Sequence, residues 1–116
     1  MKSVSIVIPA YNEEDTIRTC LLAALSQTVP AHEIIVVNNM STDRTVEIVQ
    51  ELQLSNPEAP LVLIEQSAMQ GITPTRNAGF DAATGDIIGR IDSDSAIEPN
   101  WVEEVQKSYE DEHVAA

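Results

Sequence analysis

The sequence predicts an α/β fold: a Rossmann-like parallel sheet of strand order 3-2-1-4, flanked by helices and incomplete at its C-terminal edge. Two patterns lead to the parallel sheet, for which the order 3-2-1-4 is then taken. Short runs rich in Val and Ile recur, as in "SVSIVIP", "EIIVVN", "LVLIE" and "DIIGRID", the composition of strands buried on both faces. Between them lie stretches whose apolar residues return every three or four positions, the spacing of one helix face. Strands alternating with helices build right-handed βαβ units, hence a parallel sheet with helices on both sides. At 116 residues, residues 1–116 make one domain with a single modest core.

The first strand, "SVSIVIP", is closed by Pro9, which lacks a ladder N–H. Asn12 stands at an N-cap position, and "EEDTIRTCLLAALSQ" follows as a helix with acids in its first turn, where the helix dipole favours them. Its Ile17, Leu21, Leu22 and Leu25 recur at helical spacing. "EIIVVN" is the second strand, and "STDRTVEIVQELQ" a second helix with Val46, Val49 and Leu52 on one side. After the "SNPEAP" loop comes the strand "LVLIE". In "ITPTRNAGFDAATG", Thr73 suits an N-cap, Pro74 the first helical position and Gly85 a C-terminal stop. "DIIGRID" is the fourth strand, Pro99 opens the helix "NWVEEVQKSYEDE", and "HVAA" reads as the start of a fifth strand.

Composition excludes several functions. A net charge of −13 argues against nucleic acid or an anionic membrane as the main partner, since both need basic patches. It also requires that a phosphate ligand be neutralised by something other than lysines. The single cysteine, Cys20, allows no internal disulfide and fits a reducing compartment such as the cytoplasm. Within an apolar helical run it reads as a buried structural thiol. No apolar run is long enough to span a bilayer, and the N-terminal stretch turns polar too soon for a signal peptide; membrane association is left to a full-length context. His32 and His113 lack partners at metal spacing. No G-x-S-x-G occurs, and "PAYNEE" lacks the G-x-G-x-x-G of a dinucleotide site.

In a sheet of this order the ligand crevice lies beyond the carboxyl ends of strands one and four. "PAYNEE" and "DSD" then face each other across it. Asp92 and Asp94 follow a buried-type strand and offer hard oxygen ligands for Mg²⁺ or Mn²⁺, with ligand phosphates completing the shell; a solvated acidic turn is the plain alternative. Tyr11 can stack on a flat base or shield the core from the rim. Glu13 can accept hydrogen bonds from ligand hydroxyls or serve the helix dipole. Asn38 and Asn39 offer donors and acceptors to a base edge or sugar, whereas Ser41, Thr42 and Asp43 suit turn and cap chemistry. Arg76 can reach a base carbonyl or phosphate, or form a surface salt bridge. Arg90 suits a pair with a neighbouring acid, and Trp101 suits core packing.

The ordered set "VSIVIPAYNEE", "LSQT", "EIIVVNNMSTDRT", "TRNAGFDAATGDII" and "RIDSDSAIEPNWVEEV" resembles the N-terminal half of a family 2 glycosyltransferase with the GT-A fold, over almost the whole chain. The resemblance implies a nucleotide-diphospho-sugar donor, commonly a UDP-sugar, a divalent cation (Mn²⁺ or Mg²⁺), and sugar transfer to an acceptor. Carried over by position, Pro9, Ala10, Tyr11 and Glu13 border the nucleotide. Asn39 and Arg76 face the base, Asp92 the ribose region, and Asp94 the metal and diphosphate. Asn38-Asn39-Met40-Ser41 stands where the family usually shows Asp-Asp-Gly-Ser or Asp-Asn-Gly-Ser. That change loosens a preference for uracil, and Met40 in place of glycine is expected to alter the turn. The family's acceptor half, with its general base, is expected after "HVAA", so this chain looks like a donor-binding half that does not turn over alone.

Two other readings stand beside this one. "IIGRIDSDSA" also resembles the strand–D-x-D of haloacid-dehalogenase-type phosphatases, with Asp92 as nucleophile and Asp94 as acid, although that class places the motif on its first strand and needs a later lysine. Only Lys107 follows here. A non-catalytic binding or assembly module is the third reading. An unpaired sheet edge favours a homo-oligomer.

Overall fold

The computed structural model describes residues 2–67 and 71–110. Its elements are β1 (Val4–Ala10), α1 (Ile17–Leu25), β2 (Glu33–Asn38), α2 (Thr45–Ser55), β3 (Leu61–Glu65), α3 (Ile72–Ala82), β4 (Ile87–Arg90) and α4 (Trp101–Glu110). All strand pairs are parallel, as the alternation predicts, and the order is β3-β2-β1-β4, the order expected of this chain. The "HVAA" segment lies outside the described residues.

The two faces of the sheet carry separate cores. Val4, Ile6, Ile8 and Ala10 of β1 point to the larger one, with Ile17, Cys20 and Leu21 of α1, Ile48, Val49 and Leu52 of α2, and Val102 of α4. Val7, Ile35 and Val37 point the other way, against Ala78 and Ala82 of α3. This alternation is the strand period applied to a sheet covered on both sides. Gly79 lets α3 approach closely, because a Cβ there would overlap Val7 Cγ1 and come within 3.0 Å of Val37 Cγ2. Trp101 covers Gly89 on the other face, in keeping with its expected packing role.

Several boundaries differ from the sequence expectation, each for a tertiary reason. Pro9 does not close β1, which continues to Ala10 and pairs Pro9 with Val37. Val7 accepts from the Ile91 N–H and Ser3 from the Ile87 N–H, so odd positions of β1 turn their backbone toward β4. At Pro9 that neighbour has ended at Arg90, and no ladder donor is lost. Helix α1 begins at Ile17, with Thr16 in the N-cap position, because Asn12 takes φ 51° and turns its side chain to another loop. Leu22 is 46% exposed, and Cys20 and Ala24 take its place in the core. Helix α2 begins at Thr45, not Ser41. In α3 the N-cap position is Gly71 at φ 142°, a conformation suited to glycine, and Pro74 is the third helical residue, not the first.

Gly85 does not stop α3, which ends at Ala82. Its N–H donates to Ser5 Oγ at 2.8 Å, and a Cβ would strike that oxygen. Ser5 Oγ donates in turn to Glu33 Oε2 at 2.6 Å, which also accepts the Thr84 N–H at 2.6 Å. Burial raises the pKa of Glu33, but these bonds outweigh it and hold the carboxyl below its ordinary value. The α3–β4 connection is thereby tied to β1 and β2 at the sheet end away from the strand C-termini.

Candidate functional site

A cleft of about 510 Å³ opens beyond the carboxyl ends of β1 and β4. Pro9, Ala10, Tyr11 and Glu13 line it from the first strand, Asn39 from the second, Gly71 and Thr75 from the start of α3, and Asp92, Ser93 and Asp94 from the loop after β4. The strand order reverses at this point, with β2 to one side of β1 and β4 to the other, and ligand crevices of parallel sheets form there.

The β1–α1 loop is stapled to the β2–α2 loop by backbone-to-side-chain hydrogen bonds. Asn12 N–H donates to Ser41 Oγ at 3.0 Å, and Asn12 Oδ1 accepts the Thr42 N–H at 2.7 Å. Glu13 N–H donates to Thr45 Oγ1 at 2.8 Å, and Glu14 N–H to Asp43 Oδ2 at 3.1 Å. Asp43 also accepts the Thr45 N–H at 2.9 Å, covering a first-turn donor of α2. Burial raises the Asp43 pKa, but the Thr45 hydroxyl and N–H and the Glu14 N–H together hold it below the usual range. Asn12 is therefore a loop staple and not a helix cap, whereas Asp43 performs the capping expected of its loop. Met40 adopts φ 60°, a left-handed conformation uncommon for a residue that carries a side chain.

The α3 side of the cleft is held by amides. Asn39 Oδ1 accepts the Gly71 N–H at 2.8 Å, and its Nδ2 donates to the Gln66 carbonyl at 3.0 Å. Thr75 Oγ1 donates to the Gly71 carbonyl at 2.6 Å. Asn38 sends its Nδ2 to Glu65 Oε2 at 2.6 Å, away from the cleft lining.

The acids differ in their surroundings. Asp92 Oδ1 accepts from Arg90 Nη1 at 2.6 Å, the pairing expected of Arg90. Asp94 makes no hydrogen bond or ion pair among the described residues. Beneath them, the Cys20 thiol is buried and donates to the Asp92 carbonyl at 3.6 Å. Burial first, then the charges of Asp94, Asp92 and Glu13, push its pKa up to about 12. The floor of the cleft thus lies in a negative potential. Among the described residues no lysine or arginine lines it, and no group of three His, Cys, Asp or Glu that could hold a metal occurs. Asp94 unpaired beside the Arg90-paired Asp92, with Glu13 not grouped with them as a third ligand, is too few ligands for a structural zinc or a calcium cage. It suits a magnesium-like ion whose shell is completed by phosphates and water.

The candidates from β1, the β2 loop and the D-x-D therefore meet in one cleft. Arg76 does not line it. One residue along a helix is about 100° around the axis, and Thr75, buried and facing the cleft, takes that direction instead. Gly71, Thr75 and Ser93 are lining residues that motif reading passed over; the only signal for Ser93 was its place between two singled-out acids. Lys107, required by the phosphatase reading, lies on α4 beside Glu103 and Glu104.

A four-stranded parallel sheet of order 3-2-1-4 with its cleft at the switch point defines a Rossmann-like nucleotide-binding class, here of the GT-A type. The family described as Glycosyl transferase family 2 matches residues 5–116, and the chain belongs to that family. It is 41% identical over 106 residues to a chondroitin synthase of Pasteurella multocida, covering 91% of this chain and 11% of that protein. It is 37% identical over 110 residues to the putative glycosyltransferase EpsH of Bacillus subtilis, covering 95% and 31%. The chain thus spans a third or less of the length of these relatives. Among solved structures, S. aureus TarS 1–349 in complex with UDP matches with a TM-score of 0.85 at 25% identity, over 96% of this chain and 33% of that one. The mannosyltransferase PcManGT of Pyrobaculum calidifontis, in complex with GDP-Man and Mn²⁺, matches with a TM-score of 0.75 at 30% identity, over 80% and 28%. No described helix is long and apolar enough to cross a membrane.

Proposed function

We propose that this chain binds a nucleotide-diphospho-sugar, with UDP as the nucleotide, and is the donor-binding part of an enzyme that transfers the sugar to an acceptor. One observation carries the reading: Tyr11 and Glu13 from the loop after β1 and Asp92 and Asp94 from the loop after β4 line one cleft at the switch point, in a chain that matches UDP-bound TarS over 96% of its length. In this reading Pro9, Ala10 and Tyr11 border the base, with the Tyr11 ring, 49% exposed, available for stacking. Asn39 acts at the base end through the Gly71 backbone it holds. Glu13 and Asp92 accept hydrogen bonds from sugar hydroxyls, and Asp94 holds Mn²⁺ or Mg²⁺. When bound, such a cation offsets the charge of the diphosphate and of the departing nucleotide, a service no side-chain cation in the cleft provides.

The test is calorimetric titration of UDP and GDP with and without Mn²⁺, on the native chain and on Asp94→Asn. UDP should bind in a Mn²⁺-dependent way, and Asp94→Asn should weaken that binding by at least about tenfold. Binding of UDP that is indifferent to both Mn²⁺ and Asp94 would remove Asp94 from the metal. The reading extends to a cytoplasmic protein that self-associates through an outer strand of the sheet. Monomeric sedimentation at every concentration would sink the self-association.

A further inference from the structure

We propose that Arg90 is a positioning residue that reserves Asp92 for the hydroxyls of the donor and keeps it out of the cation's coordination. The inference rests on the donor-binding reading above. Arg90 is the last residue of β4, and its Nη1 lies 2.6 Å from Asp92 Oδ1, a short distance typical of a charge-assisted hydrogen bond. The two side chains are 35% and 61% exposed, so the pair is worth little as a brace for the fold. Its consequence is local. It occupies one oxygen of Asp92, fixes the direction of the other, and cancels the charge of the carboxylate.

Asp94, two residues on, lines the same cleft and has no such partner among the described residues. Two acids that look equivalent in the sequence are thereby made unequal, one a neutralised hydrogen-bond acceptor and the other a free anion. A hard divalent cation prefers the free anion, because the Arg90 guanidinium beside Asp92 repels it. A hydroxyl donor loses nothing at Asp92, since an ion-paired carboxylate keeps lone pairs for further donors. Of the two acids after β4 the cation therefore takes Asp94, with Glu13 across the cleft already accepting from the Thr16 hydroxyl, and it gains its remaining ligands from the diphosphate. Cation and nucleotide bind cooperatively for that reason, and Arg90 sets the strength of the coupling.

Arg90→Gln removes the charge while keeping a polar side chain of similar reach. Mn²⁺ alone should then bind about three- to fivefold more tightly, as Asp92 becomes available to it. UDP in saturating Mn²⁺ should bind more weakly by a similar factor, and its advantage over 2′,3′-dideoxy-UDP should shrink. Arg90→Lys keeps the charge without the rigid fork, so Mn²⁺ alone should bind it as weakly as the native chain. General damage to the fold would weaken both ligands together, whereas the proposal requires opposite signs. Unchanged Mn²⁺ affinity and an unchanged dideoxy penalty in Arg90→Gln overturn the role of Arg90 while native UDP binding leaves the donor-site reading intact. A native chain that binds no UDP under any condition overturns that reading and this one with it.

Discussion

Cys20 is 1% exposed beneath the cleft, and the carboxylates above it reinforce the effect of burial on its thiol. Its pKa moves from an ordinary 9.0 to about 12, so the folded state holds the proton more tightly than the unfolded chain does. The resulting contribution to stability is complete below about pH 9 and is lost as pH rises toward 12, because the unfolded state binds fewer protons there. Urea unfolding at pH 8 and pH 10 should show a larger loss for the native chain than for Cys20→Ala, whose cavity cost is the same at both pH values. Equal losses would mean that the thiol does not titrate differently on folding. The same burial makes Cys20 inert as a nucleophile, since the thiolate is the reactive form.

At the scale of elements, the two loops at the mouth of the cleft behave as one unit. Asn12 joins them through its own N–H to Ser41 and through Oδ1 to the Thr42 N–H. Its φ of 51° is one that Asn tolerates and alanine pays about 1–2 kcal/mol to adopt. Tyr11 and Glu13 flank this residue, so the staple sets the direction of both cleft side chains. Asn12→Ala should lower UDP affinity about fivefold and leave Mn²⁺ binding in the absence of nucleotide unchanged, as read by titration. Asn12→Gly relieves the backbone without restoring the acceptor and should remain weak. Asn12→Asp keeps the acceptor and should recover most of the affinity. Recovery by Gly and not by Asp would show that the conformation matters and the hydrogen bond does not.

For the whole molecule, charge is the dominant feature. Nineteen acidic residues stand against six basic ones, and Arg18, Arg44, Arg90 and Lys107 are already paired with carboxylates. The remaining acids repel one another across a small surface, which destabilises the compact state. Salt screens that repulsion beyond about 10 Å at 0.1 M, while the exposed pairs it also weakens are worth at most about 1 kcal/mol each. The melting temperature should therefore rise between 10 mM and 300 mM NaCl. A fall would show that the individual pairs outweigh the net repulsion.

The alternation of strand runs with helical spacing was enough to specify a parallel sheet, because both periods are properties of consecutive residues. With the order taken as 3-2-1-4, the switch-point rule brought Tyr11 and Asp94 to one cleft, and the folded chain has that order. Arg76 stands outside the cleft lining because its neighbour Thr75 takes the cleft side of α3, a choice made by how the helix packs against Val7 and Val37. Asn12 read as a cap because its true partners, Ser41 and Thr42, lie about thirty residues away. Gly85 read as a helix stop because its contact with Ser5 spans eighty positions. Local pattern alone determined which segments are strands and helices; which strand ends meet also needed the strand order, taken as 3-2-1-4 and found in the folded sheet. Tertiary structure decided which way each side chain turns there, since that depends on hydrogen-bond partners and packing surfaces that only the folded chain brings within reach.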